Sequence, residues 1–480
     1  MKKNTPWAFV FILVLFLAFS CAQLFSPAKG DGTLAITLGG DSSRASLGEI
    51  PAEDLPEFSS VRISVKSGGS EIFAQTFSGG ESKYQVSVLS GGPYRVEVVG
   101  TLKHPGEPLD LAFVRSLGGA RDGVMVSASE GNTVSINMRL WESAILVPDY
   151  SNNFTQIYPA MVFSNFVNNT SFFSSPFISC FENSRFAFDP YGRLFVMGQG
   201  DSDYSILRYT SSSTAAEIHN DGSLYDERSG GLAYDSAAGR LYFVSYNDVY
   251  FINSDVKSDN INPTRLGQIK DTLDIIIDDF PCVAADGNGH IYVAGTDRSP
   301  QEYGFFKLKV TEEGQGTTVS LAGSPVYFDQ IPYLAFLINS DDPTFEGDLF
   351  YLDLYSITDM KVSNGTLYIL VCGEQEEPGS NLGEGAVIAI PVDSFTVDPE
   401  SVIGNRARKT WSATTAPANG DTGPFLGPRR FAGFGPDKLY IYDAGSWTPD
   451  EETYPIRVER IVEFNTRTKK IVNSGIFILP

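Results

Sequence analysis

Five stretches of the chain repeat one local pattern, an apolar segment, a polar turn and then an unbroken apolar segment, and this limits the available architectures more than any other feature. They are Phe186–Val196, Leu232–Val244, Val283–Val293, Met360–Ile369 and Phe431–Ile441. Two places before the first apolar side chain of each second segment stand Gly192, Gly239, Gly289 and Gly365, with Asp437 in the last. Glycine reaches left-handed backbone angles without a Cβ clash, and aspartate tolerates them. Each unit therefore reads as strand, tight turn, strand. The second segments, such as Leu241-Tyr-Phe-Val244 and Ile291-Tyr-Val293, are apolar without alternation and need cover on both faces. One such sheet cannot cover itself. Several arranged radially bury each face against a neighbour, which predicts a β-propeller over residues 141–480.

The equivalent residues Leu194, Leu241, Ile291, Leu367 and Leu439 are separated by 47, 50, 76 and 72 positions. Compact blades take about 40–50 residues, so the last two intervals contain insertions or a degenerate blade. Residues 142–181, including Ala144–Pro148, are a candidate sixth blade or closing strand. Six blades are favoured within a range of five to seven. The Asp-x-x-Gly-x-Leu-Tyr-Val signature resembles the NHL and related six-bladed propeller families, over about residues 141–480. The motif speaks to architecture and is nearly silent about chemistry.

Between Thr33 and about Leu140 the period changes to two. Val61-Arg-Ile-Ser-Val65 and Tyr84-Gln-Val-Ser-Val88 alternate apolar and polar, and the latter runs through Gly91-Gly92 into Tyr94-Arg-Val-Glu-Val98. Alternation places one face of each strand in a core and the other in water. Gly123–Val126 leads through Glu130-Gly-Asn132 to Thr133–Met138, and the whole predicts an antiparallel β-sandwich over residues 32–140. This closing segment resembles the prealbumin-like sandwich modules of bacterial surface lipoproteins. The fold class is therefore all-β, a sandwich followed by a propeller.

The N-terminus carries a targeting plan: Lys2 and Lys3, thirteen apolar residues from Trp7 to Phe19, then Ser20 and Cys21. A bilayer-spanning helix needs about 20 apolar residues, so a cleaved signal over residues 1–20 is favoured over a permanent span. Leu17-Ala-Phe-Ser-Cys21 resembles the lipobox of bacterial lipoproteins, with Phe19 bulkier than that pattern usually holds. The resemblance implies cleavage before Cys21, diacylation of its sulfur and a lipid anchor in a bacterial envelope. Two acyl chains matter because a single chain holds a protein only marginally. Residues 21–31, with Ser26-Pro27 and Gly30, read as a tether.

Without residues 1–20 the chain keeps 33 basic and 58 acidic side chains, a formal charge of −25. Its longest basic cluster is as short as Arg406-Ala-Arg-Lys409, so nucleic acid is excluded as a partner on the absence of clustered cations. The acidity also repels anionic lipid, leaving the acyl chains to hold the body at a membrane. Cys180, Cys282 and Cys372 remain after lipidation and allow at most one disulfide. Each reads as a buried apolar side chain.

The residues offer little chemistry. Of the three histidines, His104 lies beside Pro105, His219 in the Asn220-Asp-Gly222 turn region and His290 in a repeat turn, with no spacing that suits zinc or a Ser-His-Asp triad. No nucleophile elbow, phosphate loop or dinucleotide fingerprint occurs in a suitable context. Carboxylates group at Asp201 and Asp203, at Asp274, Asp278 and Asp279, and at Asp341, Asp342, Glu346 and Asp348. Calcium takes six to eight oxygens, but solvated loops are the favoured reading of these groups. Asp286-Gly-Asn-Gly289 matches a fragment of a calcium loop yet lacks its third acid and distal glutamate, so a turn is favoured. Glu374–Glu384 reads as a long acidic loop, a candidate contact surface or a solubilising insertion. Trp447 and Tyr454 are candidate aromatic anchors.

These features favour a membrane-anchored, non-enzymatic lipoprotein whose propeller binds protein or glycan, with the sandwich as a spacer. No cofactor, catalytic residue or metal ligand is assigned; Cys21 is the one site residue, as the lipidation site. Two alternatives stay open: a divalent-metal-dependent hydrolase or lactonase using the propeller channel, as the resemblance to six-bladed propellers implies, and a structural part of an envelope assembly.

Overall fold

The computed structural model describes residues 31–39, 55, 57–102, 115–128, 131–143, 145–149, 154–158, 185–188, 194–199, 204–211, 214–220, 231–235, 238–245, 248–253, 262–277, 282–299, 301–313, 316–331, 357–372, 382–383, 385–397, 402–403, 409–410, 425–435, 437–447 and 456–478. Strands dominate them. The N-terminal part comprises β1 (Asp31–Leu38), β2 (Phe58–Ser67), β3 (Ser70–Ser78), β4 (Lys83–Leu89), β5 (Gly91–Leu102), β6 (Arg115–Val126), β7 (Asn132–Ile136) and β8 (Arg139–Ser143). They form two sheets, ordered β4-β1-β7 and β3-β2-β5-β6-β8. The alternation read from the sequence decides which face is inside. Leu34, Ile36, Val61, Ile63, Val65, Val86, Val96 and Val98 meet in one core between the sheets, while the residues between them face outward.

Two details differ from the sequence reading. Gly91-Gly92 takes φ of 132° and 135°, the positive angles that a tight connection between successive strands needs. The strands on either side do not pair, however: β4 pairs with β1 and β5 with β2 and β6. The glycines thus carry the chain from one sheet to the other. A Cβ on Gly92 would stand 2.6 Å from the Val124 carbonyl oxygen, so close approach as well as backbone angle selects glycine. The sandwich is also not wholly antiparallel, because β1 and β7 pair in parallel.

Beyond the hairpin of β9 (Ile145–Asp149) and β10 (Phe154–Tyr158), five sheets follow in chain order. The first holds β11 (Arg185–Phe188), β12 (Leu194–Gln199), β13 (Tyr204–Ser211) and β14 (Thr214–Asn220). The second holds β15 (Leu232–Asp235), β16 (Arg240–Ser245), β17 (Asp248–Asn253) and β18 (Thr264–Arg265). The third, the most elaborated, holds β19 (Ile275–Ile276), β20 (Val283–Ala285), β21 (His290–Asp297), β22 (Glu302–Glu313), β23 (Gly316–Leu321) and β24 (Val326–Tyr327). The fourth contains β25 (Ile357–Ser363), β26 (Thr366–Cys372), β28 (Gly385–Pro391) and β29 (Val402–Ile403), with the short pair β27 (Leu382–Gly383) and β30 (Lys409–Thr410) forming a separate small sheet. The fifth is β31 (Pro428–Gly435), β32 (Lys438–Trp447), β33 (Ile456–Asn465) and β34 (Lys470–Ile478).

The first and fifth sheets are antiparallel meanders, and the same meander is the frame of the others. Their first strands touch in succession: β11 with β15, β15 with β20, β20 with β25 and β25 with β31. These strands therefore surround a common axis, and the domain is a β-propeller. Each pair of neighbouring sheets shares its own core. Phe195 and Met197 meet Leu241 and Phe243; Tyr242 and Val244 meet Ile291 and Val293. Tyr292 and Ala294 meet Leu367 and Ile369; Tyr368 and Leu370 meet Leu439 and Ile441. Alternate residues of one apolar strand thus serve two different cores, which is why the second segments show no polar alternation. Five four-stranded frames are present among the described residues, and β31 also contacts β8 and β9. Of the candidate sixth blade, residues 144, 150–153 and 159–181 lie outside the described residues. Strand β8 straddles the position at which the sequence places the boundary between sandwich and propeller.

The turn chemistry matches the sequence. Gly239, Gly289 and Gly365 have φ of 62°, 82° and 72°, and Asp437 takes 56°. Gly192 lies outside the described residues. A Cβ on Gly239 would meet nothing within 4 Å, so Gly239→Val isolates the backbone cost. We expect it to destabilise the protein by about 1–2 kcal/mol, read as a lowered urea midpoint with unchanged m-value. Asp437→Gly is expected to be neutral or slightly stabilising in the same assay, since it relieves the left-handed strain at the equivalent turn.

Candidate functional site

The propeller axis is the place where the fold brings side chains from different blades together. The first strand of the fourth sheet contributes most to it. Register between β25 and β26 slips between Ile357 and Asp359, leaving Thr358 as an extra, bulged residue. A bulge re-aims the residues around it. The Thr358 hydroxyl donates to the Pro428 carbonyl of the fifth sheet at 2.8 Å, and its own carbonyl accepts from Arg185 Nη2 of the first sheet at 2.8 Å. Asp359, next along, accepts from its neighbour Met360 N at 2.8 Å and from Phe431 N of the fifth sheet at 2.9 Å.

Lys361 reaches furthest. Its ammonium donates to the carbonyl of Phe186 on the first sheet at 2.9 Å and to that of Leu232 on the second at 2.8 Å. It also lies 5.5 Å from the centroid of the Phe186 ring, within cation–π range. Burial pulls its pKa down; Arg185 adds to that effect, and Asp359 opposes it. Cys282, on the segment leading into β20, lies in the same electrostatic neighbourhood. Burial pushes its thiol up to about 12, with Arg185 and Lys361 pulling down and Asp359 pushing up. A thiol so raised is inert as a nucleophile at neutral pH.

Other polar groups join neighbouring sheets away from the axis. Arg240 of the second sheet lies over the Phe251 ring, 4.2 Å from its centroid, and is ion-paired with Glu312 of the third. Lys307 of the third donates to the carbonyl of Val392, just after β28, at 2.7 Å. Within the fifth sheet, Asp443 and Arg460 form a fully buried pair at 2.8 Å. Asp443 also accepts from Leu426 N and Gly427 N. These groups hold backbone in place, and pairing with an opposite charge or a backbone group lowers the cost of their burial.

The residues singled out by sequence do not converge. Asp286 anchors its repeat turn, accepting from Asn288 N at 2.8 Å and His290 N at 3.2 Å on one oxygen. Its other oxygen meets His290 Nδ1 at 3.0 Å and the Tyr292 hydroxyl at 3.1 Å. This is turn architecture, as the sequence reading favoured, and burial together with Asp286 pushes the Tyr292 phenol up. His219 departs from its expected setting in a turn. It lies in β14, buried, with its ring 5.7 Å from Phe243 of the next sheet, because the strand continues to Asn220. Asp274 is an exposed left-handed residue paired with Arg298 at 3.2 Å. Cys282 and Cys372 are buried thiols outside any disulfide.

Cys21, Cys180, His104, Asp201, Asp203, Asp278, Asp279, Asp341, Asp342, Glu346, Asp348 and Tyr454 lie outside the described residues, as do Glu374–Glu384 apart from Leu382 and Gly383. Trp447 ends β32, and its side chain is outside them as well. Among the described residues no group of three or more His, Cys, Asp or Glu side chains is placed to hold a metal ion. No described helix is long and apolar enough to cross a membrane. Sequence reasoning missed Arg185, Asp359 and Lys361. Two charges in the apolar repeat strand Ile357-Thr-Asp-Met-Lys-Val362 were the available signal.

No family model and no curated protein matches the chain. Among solved structures, a quinonprotein alcohol dehydrogenase-like protein from Bacteroides thetaiotaomicron is similar at 11% identity over 87% of this chain and 90% of that one, with a TM-score of 0.27. The propeller assignment rests on the succession of sheets and cores described above.

Two outcomes test the axial cluster. Asp359→Ala removes the acceptor for Phe431 N and the carboxylate that, among the described residues, opposes the lowering of the Lys361 pKa. We expect a loss of about 3–5 kcal/mol in urea unfolding, the cost of leaving buried charge uncompensated. For Lys361 the folded pKa lies below its ordinary 10.5, so the unfolded chain binds more protons between those values and stability rises with pH across that window. Cys282 acts oppositely above its ordinary 9.0. The Lys361 share is therefore isolated as the difference in slope between the unsubstituted protein and Lys361→Met, in which it should be lost.

Proposed function

We propose that the protein is a lipid-anchored component of a bacterial envelope, whose propeller serves as a non-enzymatic binding or scaffold module for protein or glycan. The observation that carries the non-enzymatic part is the use made of polar side chains at the axis. Arg185, Asp359 and Lys361 each hydrogen-bond backbone carbonyls or amides of other blades. Groups committed to holding sheets together stabilise a rigid frame, and they do not present an open coordination position or an activated nucleophile. Recognition then falls to the loops that the frame positions. The anchoring part rests on the lipobox-like Leu17–Cys21 and on the apolar run before it.

Three measurements test the reading. Cys21→Ser should abolish metabolic labelling by palmitate and move the protein from the membrane fraction to the soluble one. The purified protein should turn over none of a panel of lactones, phosphoesters and glycosides. Calcium should leave its melting temperature unchanged; a bound ion at 100 times its dissociation constant would add about 2.7 kcal/mol. Turnover abolished by chelation would replace this reading with a metal-dependent hydrolase.

A further inference from the structure

We infer that the end of the sandwich at which β1 begins is a membrane-facing tip, with its exposed apolar side chains seated in the headgroup layer of the bilayer. The inference rests on the proposed anchoring through Cys21 and adds to it a defined orientation and contact surface.

Strand register locates that end. Asp31, the first residue of β1, pairs with Leu89, the last of β4. Gly91, opening β5, pairs with Val126, closing β6. Lys66, near the end of β2, pairs with Arg95 near the start of β5, and the β2–β3 turn closes at Ser67 and Ser70. The start of β1, the ends of β2, β4 and β6 and the starts of β3 and β5 thus share one end of the sandwich.

That same end carries the exposed large hydrophobic side chains of the sandwich: Ile72 at 47%, Leu89 at 49% and Met125 at 63%. Pro93 is exposed beside them. At the opposite end, where Lys83 and Leu38 lie, no large hydrophobic is exposed among the described residues. Apolar side chains collected at one end of an otherwise alternating sandwich mark a contact surface.

The identity of the surface they meet follows from where the chain came from. Nine residues lie between Cys21 and Asp31, and the stretch fully extended spans at most about 35 Å. An acylated Cys21 therefore keeps the end at which β1 begins within about 35 Å of the bilayer. The flank also lacks the repulsion expected of a chain with such an acidic balance. Lys66 and Arg95 both pair with Glu97, Arg95 also pairs with Asp122, and Arg62 pairs with Glu71. With exposed Arg121 and Asp31 included, four cations and four anions balance among the described residues there, so an anionic leaflet meets a locally neutral surface. The acyl chains supply attachment, and the tip sets the tilt.

The test uses the full-length lipidated protein in phosphatidylcholine vesicles containing a spin-labelled lipid. Leu89→Cys and Met125→Cys, read independently, place a polarity-sensitive fluorophore at the tip, and Lys83→Cys places it at the far end. Unsubstituted protein treated in parallel gives the background from the native thiols. Blue-shifted emission and quenching at 89 and 125, with neither at 83, is the expected result. Unquenched tip positions in protein that Cys21→Ser releases from vesicles would overturn the orientation and leave the anchoring intact. Equal quenching at all three positions would also overturn it, since the sandwich would then lie flat. Vesicle binding that survives Cys21→Ser would remove the anchoring, and the tip inference with it.

Discussion

A strand that is apolar on both sides forces its sheet to be covered twice, and the second half of this molecule is organised around meeting that demand. Leu241 and Phe243 point one way and Tyr242 and Val244 the other, so the second sheet needs the first on one face and the third on the opposite face. The same holds for the third and fourth sheets. Burying one such side chain contributes about 1.5–3 kcal/mol, and every inter-sheet core contains many. A row of sheets would still leave two outer faces wet. Bending the row about an axis reduces that exposure, and the contacts among successive first strands record the bend.

Bringing first strands together at an axis creates a second problem, because innermost strands approach closely and carry backbone groups that the sheets alone do not satisfy. The axial charges answer it. Lys361 supplies donors to carbonyls of two other blades, Arg185 to a third site, and Asp359 accepts an amide across the gap to the fifth sheet. Apolar packing gives cohesion without fixing rotation. Directional bonds between blades fix their mutual setting. A frame held in this way suits presentation of loops more than chemistry at its centre, and the functional proposal grows from that distinction.

The sandwich obeys a different rule with the same physics. Its strands alternate, its two sheets share one core and its outer faces are wet. Departures from that regularity gather at the end where β1 starts, with Ile72, Leu89 and Met125 outside and charges paired off behind them. Among the described residues of the sandwich, that end is where large apolar side chains are exposed.

Much of this was legible in the sequence because it depends on local periodicity. Runs such as Leu-Tyr-Phe-Val without alternation, glycine or Asp437 at fixed turn positions, and period-two strands before Leu140 together determined an all-β chain with a sandwich and a propeller. What the sequence left open depended on pairing across long separations. It did not show that Gly91-Gly92 crosses between sheets, that β7 lies parallel to β1, or that His219 is a strand residue packed on Phe243. Nor did it bring together Arg185, Cys282, Asp359 and Lys361, which lie far apart in the chain and share no motif. Periodicity reports whether a residue faces oil or water; only the closing of blades about an axis decides which buried charge meets which backbone group.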